Sequence, residues 1–261
     1  MKLWPFAIAG ALAGVALAPR PLPHLGVRCN PQTVHVPGAH YASRRCGNLE
    51  LQDSLGMRLG TDLSKPVVAV GDSFTYGYGV AEEDAWPALI GASNAGIPGA
   101  SVENVADVVR WLREPRSACR QRGVVGQPDE LKCDRTSPPL APGVQTIVYG
   151  MYVNDVSQRW ASDGGTLEYL LHGARTRRAL EAIVEAADTV PVYFMVLDRP
   201  EDPHPWLVRW LEYAAFDAGM IVIPAPERHG EDWRLADDEW HSNEHGHRVW
   251  AEAVGEATHG R

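Results

Sequence analysis

The chain has 261 residues, 45% of them hydrophobic, which suits one sizeable domain with extensions better than two separate cores. A formal net charge of −9 leaves no broad basic face for neutralising phosphates and argues against a nucleic-acid partner. Gly71, Gly77 and Gly79 do not make G-x-G-x-x-G and no Walker A stretch occurs, so neither dinucleotide nor P-loop chemistry is expected.

The N-terminus reads MKLWPFAIAGALAGVALAPRP, with one lysine followed by an uncharged apolar run from Leu3 to Ala18. As a helix that run reaches about 24 Å, short of the roughly 30 Å hydrocarbon core. Residues 1–18 are therefore expected to be an export signal, with Ala16-Leu17-Ala18 as the small-x-small cleavage site. Pro19 is a poor first residue after a cut, so membrane attachment through residues 3–18 is the alternative. A periplasmic, extracellular or membrane-anchored location follows. Cys29, Cys46, Cys119 and Cys133 form an even set of four, which in an exported chain points to two disulfides. Sequential pairing is expected because it would staple two loose segments. No Cys-x-x-Cys pair occurs to favour a metal.

Residues 19–65, rich in Pro, Arg and Gly, read as an N-terminal extension packed on a main domain at 66–261. From Pro66 the texture changes. The runs PVVAVG, VQTIVYG, PVYFMVL and MIVIP are short, apolar and bounded by Gly or Pro, as buried parallel strands are. Helical patterns lie between them at 83–92, 101–113, 166–188, 205–218 and 243–257. The alternation predicts an α/β fold: a doubly wound, mainly parallel sheet flanked by helices in three flavodoxin-like layers. Residues 114–143 are too long and aperiodic for an ordinary connection and read as a cysteine-pinned surface excursion.

In such a sheet, ligands bind beyond the carboxyl ends of the strands. Ser73 falls there, directly after strand 66–71, and so does Asn154, a few residues beyond Gly150. A serine becomes a nucleophile when a base takes its proton and a third group orients that base. The stretch DDEWHSNEHGHRVWAEAV offers both, since Asp238 precedes His241 by three residues. The α/β-hydrolase elbow G-x-S-x-G is absent, for the chain reads Gly71-Asp72-Ser73-Phe74-Thr75. Asp72 is expected to satisfy loop backbone groups and order the turn.

Four blocks, GDSF, NAGIPG, YVND and DEWH, stand in order along the chain. Together they resemble the SGNH (GDSL-type) hydrolase family over roughly residues 48–255. The resemblance implies Ser73 as nucleophile, His241 as base and Asp238 as its orienter. It also implies an oxyanion hole made by the backbone N–H groups of Ser73 and Gly99 with the side chain of Asn154. NLELQDSLGMR, ahead of the first strand, resembles the Asn…Gly-x-Arg lead-in of bacterial members. Two positions depart from the family pattern. Phe74 replaces a leucine, and Tyr152 stands where a glycine usually precedes the block asparagine by two.

The expected function is a serine esterase that hydrolyses an O-acetyl or other short acyl ester, on a small molecule or a carbohydrate, through an acyl-enzyme and without a cofactor or metal. Transfer of the acyl group to a sugar hydroxyl by the same residues, and a binding domain that has lost catalysis, are the alternatives. A sharper rival is H-x-x-E-H, spelled by His241, Glu244 and His245, which binds zinc when both histidines share one helix. Gly246 argues against a mid-helix setting. His245 and His247 are expected to face solvent or open the last helix. Trp206 and Trp210, one helical turn apart, are expected on a buried face. Glu82, Glu83 and Asp84 are expected at the start of a helix, favoured by its dipole.

Overall fold

A computed structural model describes residues 32–33, 41–45, 48–52, 55–58, 60–114, 116–119, 133–137, 139–152, 166–197, 205–226, 233–235 and 238–259. Side chains are described at 52, 55–58, 60–114, 139–152, 173–197, 206–226, 233, 235 and 241–258. Residues 1–18, Asn154 and two of the cysteines, Cys29 and Cys46, lie outside the described residues.

Three short strands come first: β1 (Gln32–Thr33), β2 (Tyr41–Arg45) and β3 (Asn48–Gln52). They form an antiparallel sheet within the stretch read as an extension. An isolated bridge from Gln52 to Arg58 leads into the main domain.

There β4 (Val67–Gly71) runs into a single helical turn, α1 (Ser73–Tyr76). The pattern at 83–92 is realised as a 3-10 turn, Glu82–Asp84, and a second short helix, α2 (Trp86–Leu89). Pro87 suits the opening turn of that helix, where its missing N–H costs nothing, and the three acidic residues occupy the preceding 3-10 turn. Next come β5 (Ser93–Gly96) and α3 (Val102–Arg113), whose start is closed by a reciprocal capping box of Ser101 and Asn104. The excursion holds a hairpin of β6 (Arg116–Cys119) and β7 (Cys133–Ser137), in whose register Cys119 lies opposite Cys133.

The domain continues with β8 (Thr146–Met151), α4 (Thr166–Ala187), β9 (Val192–Val196), α5 (Pro205–Asp217) and β10 (Ile221–Val222). A final hairpin, β11 (Arg234–Leu235) and β12 (Asp238–Ser242), precedes α6 (Glu244–His259). Among the described residues no helix is long and apolar enough to cross a membrane.

The central sheet has the order β10-β9-β8-β4-β5, with every pair parallel. Strand side chains alternate between its two faces, and the two cores follow that alternation. Val68, Val70, Ile147, Tyr149 and Phe194 bury one face against α3, α4 and α5. Ala69, Val148, Tyr193 and Met195 bury the other against Trp86, Trp250 and Val254, on α2 and α6. This is the three-layer doubly wound arrangement expected. Strand order reverses around β4, which carries β5 on one side and β8 on the other, so the switch point lies at the carboxyl end of β4, where ligands bind in such sheets.

Three glycines lie in register at the carboxyl ends of the central strands: Gly71 of β4 is between Gly96 of β5 and Gly150 of β8, the last but one residue of its strand. Their missing side chains let α1 settle onto the strand ends. A Cβ on Gly150 would stand 2.8 Å from Thr75 Oγ1 and 2.9 Å from Trp86 Cζ2, and one on Gly96 would meet the backbone at Thr75 and Tyr76. Gly150→Ala is therefore expected to destabilise the fold by about 1–3 kcal/mol through overpacking. Urea unfolding checks this, and a loss of esterase activity larger than the loss of folded protein would register displacement of the Ser73 turn.

Candidate active site

The Ser73 turn is fastened at both ends. At its start the Asp72 carboxylate accepts the Phe74 N–H at 2.9 Å, as a cap does. At its end Gly77 takes a left-handed conformation with φ of 78° and returns its N–H to Ser73 O, a conformation glycine reaches without steric cost. Three carbonyls at and beyond the end of the turn converge on one side chain. Arg58, itself buried, donates from Nε to Tyr76 O at 2.8 Å and from one terminal nitrogen to Gly77 O at 2.6 Å and Val80 O at 3.0 Å. A rigid planar fork suits that set better than a flexible ammonium. Arg58 is the arginine of the lead-in motif, and its buried charge is spent on backbone.

Asn94 adds another brace, donating to Tyr76 O at 3.2 Å while its Oδ1 accepts the Gly96 N–H at 3.0 Å. Thr75 Oγ1 donates to Gly150 O at 3.1 Å. Ser73 itself is 8% exposed.

His241 arrives from the far end of the chain. The loop after α1 carries Gly79, with φ of 87°, and any side chain there would run into Leu235; the absence of one lets β11 and β12 dock against the loop. Asn243 then stops the strand and opens α6, its Oδ1 accepting the N–H groups of His245 at 3.0 Å and Gly246 at 3.2 Å. His241, two residues earlier, stays on β12. Its Nε2 lies 2.9 Å from Ser73 Oγ across 168 positions of sequence. The Asp72 Oδ2 also approaches Ser73 Oγ, but at 3.5 Å. The shorter contact is within the normal hydrogen-bond range and the longer at its edge. A serine proton donated to Nε2 would require the His241 proton on Nδ1.

Gly99 follows β5 and is exposed, with φ of 77°. Neither its N–H nor that of Ser73 donates a hydrogen bond among the described residues. Asp238 begins β12, opposite Leu235, and its side chain is outside the described part, as is all of Asn154. The two departures from the family pattern touch each other: the Phe74 and Tyr152 rings stack at 3.9 Å.

The H-x-x-E-H reading does not match the fold, because His241 is on a strand and α6 begins at Glu244, so the two histidines are not one helical turn apart. Two other expectations need correction. Trp206 remains 45% exposed, while Trp210 packs against Gly173 and the core, because α5 places the pair across the boundary of its buried stripe. His247 lies in the opening turn of α6, as expected, but is 1% exposed rather than solvent-facing. Its Nδ1 accepts the Trp86 N–H at 3.2 Å and ties α6 to α2, a long-range contact that no local pattern announces.

Burial first, then the nearby Arg58 and His241, pushes the His247 pKa from 6.5 down to about 3. An unfolded chain takes up this proton near pH 6.5, whereas the folded one resists it until about 3. The unfolded state therefore binds more protons within that window, and stability falls as pH drops through it, by roughly 1 kcal/mol per pH unit. His247→Gln, which keeps an acceptor for Trp86, is expected to flatten that part of the slope in urea midpoints measured at pH 7 and pH 5. Equal slopes in wild type and variant would contradict the assignment.

The family model described as "GDSL-like Lipase/Acylhydrolase family" matches residues 69–249. No curated protein matches the chain. Among solved structures, the chain is similar to a carbohydrate esterase family 2 enzyme with a carbohydrate binding domain from Corynascus thermopiles (Myceliophthora fergusii). The two are 13% identical with a TM-score of 0.47, over 83% of this chain and 72% of that one. A second structure is described by the statement that the active site of a carbohydrate esterase displays divergent catalytic and non-catalytic binding functions. It is 15% identical with a TM-score of 0.47, over 75% of this chain and 64% of the other, so this chain spans less than two thirds of that protein. A third is Axe2, an acetylxylan esterase from Geobacillus stearothermophilus, 14% identical with a TM-score of 0.42, over 77% of this chain and 94% of that one.

Proposed function

The chain belongs to the GDSL-like lipase/acylhydrolase family and is a hydrolase acting on esters; on that premise we propose that it is a serine esterase which removes a short acyl group by way of an acyl-enzyme. The observation that carries this reading is the 2.9 Å contact between Ser73 Oγ and His241 Nε2. Ser73 Oγ attacks the ester carbonyl carbon as its proton passes to Nε2. The carbon–oxygen bond to the alcohol then breaks, and the departing alkoxide takes that proton. Water attacks the acyl-enzyme, gives a proton to Nε2, and the acid leaves as Ser73 Oγ is reprotonated.

Asp238, three residues before His241, is assigned to hold Nδ1–H. The oxyanion is assigned to the N–H groups of Ser73 and Gly99 and the side chain of Asn154. Neither N–H, at Ser73 or at Gly99, is engaged among the described residues, which supports that assignment, since donors already engaged could not turn to a developing charge. The burial of Ser73 supports a small acyl group, acetyl first, carried by a small molecule or a carbohydrate alcohol. An exported location, anchored or not through residues 3–18, belongs to the same proposal. So do disulfides, for which the register of Cys119 against Cys133 supports sequential pairing.

The test joins labelling by a serine-reactive phosphonate with turnover of p-nitrophenyl acetate and butyrate. Wild type is expected to label at Ser73 and to prefer acetate, and Ser73→Ala to lose both labelling and turnover. Asn154→Ala is expected to keep its thermal midpoint while kcat falls by about 10²–10³. Activity is expected to survive a chelator. Loss restored by zinc would overturn the serine reading, and a wild type that neither labels nor turns over would favour a binding domain.

A further inference from the structure

We propose that Phe74 and Tyr78 are positioning residues whose rings brace the imidazole of His241 so that Nε2 stays aimed at Ser73 Oγ, an inference that rests on the serine-esterase reading. The His241 ring lies 5.0 Å from Phe74 with the planes 29° apart, and 4.8 Å from Tyr78 with the planes 45° apart. Both aromatic residues belong to the piece of chain that carries the nucleophile. Phe74 is the second residue of α1, and the Tyr78 N–H donates to Ser73 O at 3.0 Å. The serine and the surfaces that orient its base therefore move together.

Phe74 is held in turn. It is buried, stacks on Tyr152, and meets Trp250 edge-on at 6.2 Å, so the brace is anchored in the core between the sheet and α6. This gives the two departures from the family pattern a purpose: Tyr152 backs Phe74, and Phe74 faces His241. An imidazole without ring neighbours turns about its Cβ–Cγ bond, and a misplacement of about 1 Å at a reacting group can cost about 100-fold in rate. The half-buried Tyr78 is the accessible half of the brace, since its replacement leaves the core intact.

The experiment compares Tyr78→Leu and Tyr78→Phe with wild type, by steady-state hydrolysis of p-nitrophenyl acetate and by the rate of phosphonate labelling at Ser73. Tyr78→Leu is expected to lower kcat about tenfold, the scale of one lost ring contact, with KM nearly unchanged and labelling slowed by the same factor. Tyr78→Phe, which keeps the ring, is expected to restore both. Phe74→Leu, which keeps the buried position apolar, is expected to act in the same direction on kcat. Equal kcat in Tyr78→Leu and wild type would overturn the brace. So would a loss carried by KM, which marks a substrate contact, or an equal loss in Tyr78→Phe, which assigns the effect to the phenol hydroxyl. In each of these cases an active, labelled wild type leaves the esterase reading standing; a wild type inactive toward both reagents would instead remove the reading on which the brace depends.

Discussion

A hydroxyl and an imidazole from opposite ends of a domain meet at 2.9 Å only if each is held by its own backbone fastening. Such a contact tolerates errors of a few tenths of an ångström, yet loop-borne groups drift by more than that. Here the serine sits on one turn of helix with a carboxylate at its N-terminal end and a guanidinium gathering the carbonyls at its C-terminal end. Acid at the start and base at the finish also agree with the direction of the helix dipole. The histidine sits on a strand that Asn243 terminates, and that strand is paired with β11, whose Leu235 packs over Gly79 of the loop after the serine turn.

The glycines do the geometric work that permits this. Gly71, Gly96 and Gly150 flatten the ends of three neighbouring strands so that the turn can lie on them, and Gly79 clears a place for Leu235. Side chains at these positions would lift the nucleophile off the sheet or push the histidine strand away. The buried polar groups around the turn, Arg58, Asp72, Thr75 and Asn94, each pair with backbone, which avoids the cost of stranded buried groups. Asp72 in particular stabilises the turn through the Phe74 N–H, while its second oxygen lies at 3.5 Å from Ser73 Oγ, the limit of hydrogen-bond distance.

Much of the central fold is legible because β4, β8, β9 and β10 lie in apolar runs bounded by Gly or Pro, and the four long helices among the described residues carry a 3.6-residue period. β5 does not announce itself as a strand: Ser93 and Asn94 are polar, and their burial is made tolerable by hydrogen bonds to distant backbone. The helical pattern at 83–92 became two short turns, where Pro87 and the packing of Trp86 against Gly150 outweighed local preference. The antiparallel strands before Arg58 carry too little apolar alternation to declare themselves. At the site, Ser73 and His241 stood out as residue types in ordered blocks. The roles of Arg58 and His247, and the contact of Phe74 with Tyr152, arise from packing between segments remote in sequence, which no local window contains.

The contact of Ser73 with His241, and the donor role proposed for the N–H groups of Ser73 and Gly99, are tested most directly by a crystal structure of the phosphonate adduct. The account predicts phosphorus bonded to Ser73 Oγ, one phosphoryl oxygen about 2.7–3.1 Å from the N–H groups of Ser73 and Gly99, and His241 Nε2 still within hydrogen-bond reach of the adduct. Phosphorus on another residue, or a phosphoryl oxygen turned away from both N–H groups, would contradict it.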